Sequence, residues 1–447
     1  GGPDGMWPWS RRGGKLPRMV AISFAGRVNG RILAVSLPWT PTRRRYAAVI
    51  EWMMHHVPTY YHNAVGDLTW LHANGLRPTL HGDTMVLASL LNLSSSMGLK
   101  PLASTMTEMA PGWGEDVAAL GRMPRTRQEW RKLLTYNAED AEATVLLREG
   151  LEVRVTELGR EAVLLLYHEV LLPAIPILVD AGLNGVPIDA AMLRKVERKA
   201  RRKLRDLVER IGDSLELPGN YEEHLSKPAK IAARVEEVAG VVLPRTEKTR
   251  VPSLSVKHLE TITDAHPVIS DLVTRAHVEK LRGTYLTPWR ELFELQGTNR
   301  LHNVYSVSRA STGRTSAQGD KGGTVQQFPR KIRGVRNLVR ARRGWGIMEV
   351  DQSQIELRVA AWLADETTMI SLFNADKDLH TATAGFLKAL GAGKTLRQFQ
   401  REQDYWMERV TKAERYGAKP YNFGLLFGGS EKVVIDTARA DYGLTLT

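Results

Sequence analysis

The sequence predicts two kinds of fold in succession: a mixed α/β domain over residues 1–150, and after it a largely helical α+β region. Two apolar segments flank Asn29-Gly30, a dipeptide typical of the turn in a β-hairpin. From about Leu151 the apolar residues recur at helical spacing. One short apolar segment, residues 345–350, interrupts that pattern and predicts a strand.

Local signals place the individual elements. The hairpin strands are expected over residues 18–25 and 31–37. Asp189 is a good N-cap for an amphipathic helix that reaches Leu215, because the apolar residues of this segment return on one face. Further helices are expected over residues 49–56, 65–73, 83–91 and 355–363, and through most of residues 378–447.

Composition restricts the function classes. The chain of 447 residues has 62 Lys and Arg against 49 Asp and Glu, a net charge of +13 that favours a polyanionic partner such as nucleic acid. It contains no cysteine, which excludes disulfides, thiolate zinc sites and cysteine nucleophiles and fits a cytoplasmic location. The longest apolar stretch, residues 170–179, is about half the length of a membrane span, so no membrane partner is expected.

The positive charge is concentrated in three strips. Residues 308–343 hold ten Lys or Arg and one Asp, residues 1–50 hold nine and one, and residues 194–205 hold eight and one Glu. The third strip lies on the predicted helix after Asp189. It is typical of a solvated helix face, and it also suits a helix that lies along a phosphate backbone.

The segment Val350-Asp-Gln-Ser-Gln-Ile-Glu-Leu-Arg358 places an aspartate between a predicted strand and a predicted helix. The carboxylate of Asp351 is the kind of oxygen ligand that Mg²⁺ prefers, and Glu356 follows on the first helical turn. The alternative is structural, with Asp351 capping the helix and Glu356 pairing with an arginine. This segment alone leaves both interpretations open.

A second segment repeats charged and aromatic residues every four positions. Four residues advance about 400° around a helix, so Arg415, Lys419 and Phe423 share one face. Two cations followed by a flat ring suit a triphosphate whose sugar packs on the ring. The alternative is a core aromatic residue beside solvated basic neighbours.

Taken together, the two segments resemble the first palm motif and the fingers motif of family A DNA polymerases. Three more segments occur in the family's order: Ser311-Thr-Gly-Arg314-Thr-Ser, Val325-Gln-Gln-Phe-Pro-Arg330 and Asp378-Leu-His380-Thr-Ala-Thr-Ala. The resemblance implies a right-hand polymerase domain, with a linker and a helical thumb at residues 151–300, part of the palm at 301–375 and part of the helical fingers at 376–447.

The resemblance also implies residue roles. Asp351 is a metal ligand for phosphoryl transfer with two Mg²⁺ ions, or with Mn²⁺. Glu356 crowds the sugar 2′ position and rejects ribonucleotides, and Arg314 holds the primer terminus. The nucleotide site comprises Gln354, Glu356, His380, Arg415, Lys419, Phe423 and Phe427, of which Glu356, Arg415 and Lys419 are catalytic together with Asp351; Gln326 and Gln327 contact DNA.

Residues 1–150 resemble the 3′–5′ proofreading exonuclease domain of the same enzymes, which has a ribonuclease H-like fold with a mixed sheet. Tyr61-His-Asn63-Ala-Val-Gly-Asp67 resembles its second motif, and Tyr136-Asn-Ala-Glu-Asp140 resembles its third. The resemblance makes Asp67 and Asp140 metal ligands, with Asn63 at the DNA. It makes Tyr136 the residue that orients the attacking water.

The implied function is template-directed DNA synthesis in replication or repair, by a bacterial or phage-like monomer that binds primer–template DNA and deoxynucleoside triphosphates. Two family motifs are missing from the sequence: the Asp-x-Glu pair of the exonuclease and the His-Asp-Glu of the palm. We therefore expect an internal fragment of a longer polymerase. The alternative is a non-catalytic DNA-binding relative with decayed sites, although the presence of Asp351, Glu356, Arg415 and Lys419 argues against decay.

We predict that the 447-residue chain binds primer–template DNA weakly and neither extends nor degrades it, because each site lacks a metal-holding carboxylate. A labelled-primer assay resolved on a denaturing gel measures both activities. Robust primer extension by the purified chain would contradict the expectation of a fragment.

In a chain extended to its natural ends, Asp351→Ala should abolish nucleotide incorporation and leave DNA binding nearly intact. The paired measurements are primer extension and a DNA-binding titration. Unchanged incorporation would remove Asp351 from the polymerase site.

Overall fold

The computed structural model describes residues 8–9, 19–92, 96–109, 112–118, 122–246, 250–310, 312–319, 324–328, 334–432 and 435. Two compact units make up the chain, an amino-terminal unit (Gly1–Gly346) and a carboxy-terminal unit (Ile347–Thr447). The described residues are mostly helical and form four small sheets of two strands each.

The amino-terminal unit begins with the expected hairpin. Strands β1 (Ala21–Val28) and β2 (Arg31–Pro38) pair in antiparallel register, with Val28 opposite Arg31. The turn residues Asn29 and Gly30 have φ angles of 50° and 79°, the left-handed conformation that a two-residue hairpin turn requires. The hairpin prediction is confirmed.

The rest of this α/β region surrounds a second strand pair, in which β3 and β4 run parallel. Helices α2 and α3 confirm the predictions over residues 65–73 and 83–91, whereas the helix expected over residues 49–56 is the last part of a longer helix. The elements are α1 (Trp39–His56), β3 (Thr59–Tyr61), α2 (Ala64–Ala73), β4 (Leu80–Asp83), α3 (Thr84–Leu91), α4 (Leu99–Met106), α5 (Glu115–Ala118) and α6 (Arg127–Glu157).

The expected single mixed sheet is not found among the described residues, because β1–β2 and β3–β4 form two separate sheets. A single sheet would require a strand of one pair to hydrogen-bond to a strand of the other pair. In the described part of the chain, β1 and β2 pair only with each other, and so do β3 and β4. The 31-residue helix α6 packs against both pairs. Its start is fixed by a capping box, in which Thr126 and Glu129 bind each other's backbone amides.

A buried carboxylate joins the turns of this region. The Asp83 oxygens accept hydrogen bonds from the backbone amides of Asn63 (3.0 Å) and Ala64 (2.7 Å), which start α2. They also accept from Met85 (2.9 Å) and Val86 (3.3 Å), which start α3. The Tyr167 hydroxyl accepts from the Asp83 amide at 2.6 Å and donates to its carbonyl at 3.1 Å. One aspartate therefore holds two helix starts and the segment around Tyr167 together.

The linker is one continuous helical run, residues 162–184, in which a π-helical turn at Tyr167–Leu171 separates α7 (Ala162–Leu166) from α8 (Leu172–Asn184). This run is longer than the apolar stretch seen in the sequence, and it is long and apolar enough to cross a membrane. A single helix of this kind is weak evidence for a span, since core helices meet the same criteria. Leu172, Ile175 and Val179 are buried in the core of the unit.

The predicted helix after Asp189 is confirmed as α9 (Ala190–Ser214), and the Asp189 side chain caps it by accepting from the amides of Ala191 and Met192. Its apolar face is buried, and the eight cations of residues 194–205 are exposed. The following helices are α10 (Tyr221–Leu225), α11 (Pro228–Ala239), α12 (Val256–Leu259), α13 (Pro267–Lys280) and α14 (Thr287–Gln296), with a π-helical turn at Leu281–Leu286.

Two short antiparallel pairs and two 3₁₀ turns complete the described part of the amino-terminal unit. β5 (Val186–Pro187) pairs with β6 (Arg300–Leu301), and β7 (Asn303–Ser306) pairs with β8 (Ser316–Gly319). The 3₁₀ turns are Val325–Gln327 and Arg336–Leu338.

The carboxy-terminal unit is helical, and its first helix confirms the prediction over residues 355–363. Its core contains Leu357, Phe373 and Leu379. The helices are α15 (Ile355–Leu363), α16 (Thr367–Asn374), α17 (Leu379–Gly391), α18 (Leu396–Arg401), α19 (Gln403–Glu408) and α20 (Lys412–Leu426).

The strand predicted over residues 345–350 is wrong. These residues form no strand, and Trp345, Met348 and Val350 are exposed. A strand is stable only against a hydrogen-bonding neighbour, and none of the described residues pairs with this segment. Apolar composition alone was therefore not enough to form the element.

Tyr167→Phe removes the hydroxyl that bridges the Asp83 backbone, and we expect the free energy of unfolding to fall by about 1–3 kcal/mol. Urea denaturation of the two chains measures the difference. Tyr46→Phe, at a tyrosine that is 49% exposed, is the matched control and should change stability little. Equal loss in both variants would contradict the role of the Tyr167 hydroxyl.

Candidate functional site

Helix α20 carries the four-residue repeat of cations and aromatic rings. It begins with a capping box, in which the Thr411 hydroxyl accepts from the Glu414 amide (3.2 Å) and the Glu414 carboxylate accepts from the Thr411 amide (2.7 Å). The rings of Phe423 and Phe427 stack with centroids 6.4 Å apart and planes 8° from parallel. The helix therefore presents these residues on one face, as their spacing predicts.

Arg415 is bound by a carboxylate to which the sequence motifs assign no role. Its Nε and Nη2 donate to the two oxygens of Asp378 at 3.0 and 2.7 Å. Asp378 also caps α17 by accepting from the Thr381 amide (2.7 Å) and hydroxyl (2.8 Å). Partial burial opposes ionisation, but the hydrogen bonds from Arg415 and Thr381 hold the pKa of Asp378 below its ordinary value.

His380 lies beside this pair and is only 3% exposed. Its Nδ1 accepts from the Asn422 side-chain amide at 2.9 Å, and the Asn422 oxygen accepts from the Thr383 hydroxyl at 2.9 Å. Burial lowers the pKa of His380 to about 4, and the charges of Arg415 and Lys419 act in the same direction. At neutral pH the ring is uncharged, and with Nδ1 accepting, its proton lies on Nε2.

The structure thus brings together three residues that the sequence assigned to one site, since the charges of Arg415 and Lys419 both act on His380. The Lys419 ammonium lies 5.6 Å from the centre of the Tyr416 ring. The His380 and Phe423 rings are 5.7 Å apart. The arrangement offers two cations, one neutral N–H donor and an aromatic face, which suits a phosphorylated ligand with a flat or cyclic group.

Asp351 and Glu356 flank the start of α15. Asp351 is exposed in a segment without regular structure, and Glu356 lies in the first turn of the helix. Gln354 precedes the helix in the left-handed conformation (φ 53°), and its amide nitrogen donates to Asp378 at 2.8 Å. The side-chain oxygen of Gln354 is buried without a hydrogen-bond partner.

No group of three or more acidic or histidine side chains is arranged to hold a metal ion in the part of the chain that the structure describes. Asp351 contributes one carboxylate, and a divalent cation bound by protein oxygens needs several ligands. The described residues therefore do not make a metal site by themselves.

The residues assigned to DNA lie in the amino-terminal unit. Gln326 and Gln327 form a 3₁₀ turn, and the Gln326 amide donates to the carbonyl and hydroxyl of Thr315, both at 3.3 Å. Arg314, the residue before Thr315, is exposed. Ser311 and Arg330 of the same motifs lie outside the described residues.

The exonuclease-like motifs also meet. The Tyr136 hydroxyl and the Trp113 indole (2.7 Å) hydrogen-bond to Asp140, whose pKa is raised by burial. Lys100 lies 4.9 Å from the centre of the Tyr136 ring. Lys100 and Trp113 were not expected at this site, because neither is among the motif residues to which the resemblance gives a catalytic role.

The Asp67 carboxylate is affected by the charge of Asp140. The side chain keeps an exposed surface, yet desolvation and repulsion from Asp83 and Asp140 raise the pKa of Asp67 to about 6. Asn63 has a left-handed backbone (φ 63°) at the start of α2, where Asp83 holds its amide. The two predicted carboxylates therefore lie within electrostatic range of each other.

The sequence also matches a family model, described as DNA polymerase family A, over residues 190–441, more than half of the chain. The chain belongs to DNA polymerase family A. The match includes the palm-like segment at Asp351 and the whole of α20, so the resemblance inferred from the motifs is confirmed. It begins after the exonuclease-like region, which it leaves untested.

Individual relatives agree with this family. DNA polymerase I of Chloroflexus aurantiacus is 29% identical over 381 residues, which cover 83% of this chain and 38% of that protein. The thermostable DNA polymerase I of Thermus thermophilus is 30% identical over 297 residues, which cover 65% of this chain and 33% of that protein. The chain thus spans only about a third of the length of these two relatives.

Among solved structures, the chain is similar to the POL domain of Pol1 from M. smegmatis in complex with DNA primer-template and dNTP. The TM-score is 0.68 at 22% identity, and the match covers 94% of this chain and 67% of that one. At this identity the likeness shows the fold: a family A polymerase domain, mostly helical with small sheets.

We predict that His380 stays neutral down to about pH 5, because its pKa lies near 4 in the folded state against an ordinary 6.5. A histidine that binds its proton more weakly when folded loses stabilisation as the pH falls, here from 6.5 towards 4. NMR of ¹³C-labelled histidine, with His380→Asn to assign the resonance, measures the titration. A midpoint near 6.5 would contradict the buried, neutral ring.

Proposed function

We propose that the carboxy-terminal unit binds the triphosphate of a deoxynucleoside triphosphate, and that the whole protein is a template-directed DNA polymerase that extends a primer 3′-OH. The observation that carries this proposal is the convergence of Arg415, Lys419 and His380 beside the Phe423 ring. Family membership supports the reaction class. The solved relative binds primer–template DNA and a nucleotide, and we extend both partners to this protein.

Each side chain has a separate task in the proposed site. Arg415 and Lys419 bind phosphate oxygens and offset the negative charge that grows on the leaving group. His380 donates its Nε2–H as a neutral hydrogen-bond donor, since burial keeps the ring uncharged. Phe423 packs on the sugar, and Glu356 excludes a 2′-hydroxyl by crowding.

The metal requirement implied by the family is not met by the described residues, which supply Asp351 as a single carboxylate. The function rests on the nucleotide-binding residues of α17 and α20.

Primer–template DNA is the proposed macromolecular partner. The exposed cations of residues 194–205 on α9 and the exposed Arg314 support it, because clustered cations attract phosphates. We propose that residues 151–300 act as the thumb, 301–375 as part of the palm and 376–447 as the fingers, in a monomeric cytoplasmic enzyme.

A second activity, 3′–5′ exonuclease, is proposed for residues 1–150. The observation that favours it is that repulsion from Asp140 contributes to the raised pKa of Asp67, together with the hydrogen bond from Tyr136 to Asp140. Trp113 also donates to Asp140, and the charge of Lys100 acts on the same carboxylate. Loss of single-strand degradation in Asp67→Ala of the full-length protein, with extension retained, tests this activity.

We expect Arg415→Ala and Lys419→Ala each to weaken dATP binding by about tenfold or more, because each removes a charge-assisted hydrogen bond to phosphate. Isothermal titration calorimetry of the 447-residue chain measures the dissociation constants. Lys394→Ala, at a lysine of the same unit that pairs with Glu402, is the matched control. Equal affinity in all four chains would contradict the proposed nucleotide site.

A further inference from the structure

The Asp378 carboxylate is saturated with donors from three elements. Its Oδ1 accepts from the Thr381 amide and hydroxyl and from Arg415 Nε. Its Oδ2 accepts from Arg415 Nη2 and from the Gln354 amide. Thr381 belongs to α17, Arg415 to α20, and Gln354 to the segment that starts α15. The carboxylate is therefore fixed in place by groups other than Arg415.

This contact occupies one edge of the Arg415 guanidinium. A guanidinium has five N–H donors, and the pair with Asp378 uses the edge formed by Nε and Nη2. The opposite edge, formed by Nη1 and the second N–H of Nη2, has the same fork geometry. That fork matches two oxygens of a phosphate. Pairing with Asp378 is therefore compatible with simultaneous phosphate binding.

We propose that Asp378 is a positioning residue for the nucleotide triphosphate: it holds Arg415 by the Nε–Nη2 edge so that the Nη1–Nη2 edge receives a phosphate. This role rests on the proposed nucleotide site. It explains how the Arg415 side chain is oriented before the nucleotide binds. Gln354, whose amide binds the same carboxylate, is part of the brace.

Asp378 could either position Arg415 for phosphate or compete with phosphate for it, and the two roles predict opposite effects of Asp378 on nucleotide affinity. An arginine held in one rotamer loses less side-chain entropy when phosphate binds, so the brace strengthens binding. If Arg415 instead had to leave Asp378, a half-buried carboxylate would lose its charged partner, and the brace would weaken binding. The second edge of the guanidinium makes that separation unnecessary.

The test compares dATP affinity in Asp378→Asn, Arg415→Ala and the double variant of the 447-residue chain. Asparagine keeps the oxygen that caps α17 but turns an N–H donor towards Arg415. We expect Asp378→Asn to weaken dATP binding about fivefold to tenfold. In the Arg415→Ala background the same change should have less than about a twofold effect, because Asp378 acts through Arg415.

Two further variants separate positioning from charge and folding. Arg415→Lys keeps the cation but cannot be held by one edge while binding with another, so it should bind dATP nearly as weakly as Arg415→Ala. This variant keeps Asp378 intact, which covers a folding defect in Asp378→Asn. Asp404→Asn, at an exposed aspartate that pairs with Lys377, is the matched control and should bind as the unmodified chain does.

The outcomes distinguish the two levels of the proposal. If Arg415→Ala weakens binding but Asp378→Asn binds dATP as tightly as the unmodified chain or more tightly, the positioning role is overturned and the nucleotide site stands. An undiminished effect of Asp378→Asn in the Arg415→Ala background, or normal binding by Arg415→Lys, overturns it equally. If the unmodified chain does not bind dATP, the proposed site itself fails, and the positioning role with it.

Discussion

A carboxylate that is partly removed from water needs hydrogen-bond donors, and the Asp378 carboxylate draws them from three segments of the carboxy-terminal unit. The start of α17, the Arg415 side chain of α20 and the residue before α15 all meet there. Asp83 performs the same task in the amino-terminal unit, where its four backbone donors fix the starts of α2 and α3. In each unit, one capping aspartate determines how the neighbouring helices begin, and hence where the candidate site residues lie.

The electrostatics of the proposed nucleotide site differ from those of a simple cluster of cations. The charge of Arg415 is offset by Asp378, and His380 is uncharged at neutral pH. Lys419 therefore supplies most of the electrostatic attraction for phosphate. The site therefore combines one cation that attracts phosphate at long range, Lys419, with two oriented hydrogen-bond donors, Arg415 and His380. Donors that are already oriented need little reorganisation when charge moves on bound phosphates, which is the condition for stabilising a transition state.

Sequence predicted the parts of this architecture that depend on local signals. The Asn29-Gly30 hairpin, the Asp189 cap and the shared face of α20 all follow from residues close together in the chain. The strand at residues 345–350 failed because a strand depends on a distant partner, and the single mixed sheet failed for the same reason. The contact between Arg415 and Asp378 spans 37 residues and joins two separate motifs, so only the folded chain shows it. Lys100 and Trp113 were missed likewise.

The most direct test of the central claim is a crystal structure of the chain with a bound deoxynucleoside triphosphate. We predict that the phosphates contact Lys419 and the Nη1–Nη2 edge of Arg415, that Nε and Nη2 of Arg415 remain on Asp378, and that His380 donates from Nε2. Phosphates bound away from α20, or an Arg415 side chain that has left Asp378 to reach them, would contradict the account.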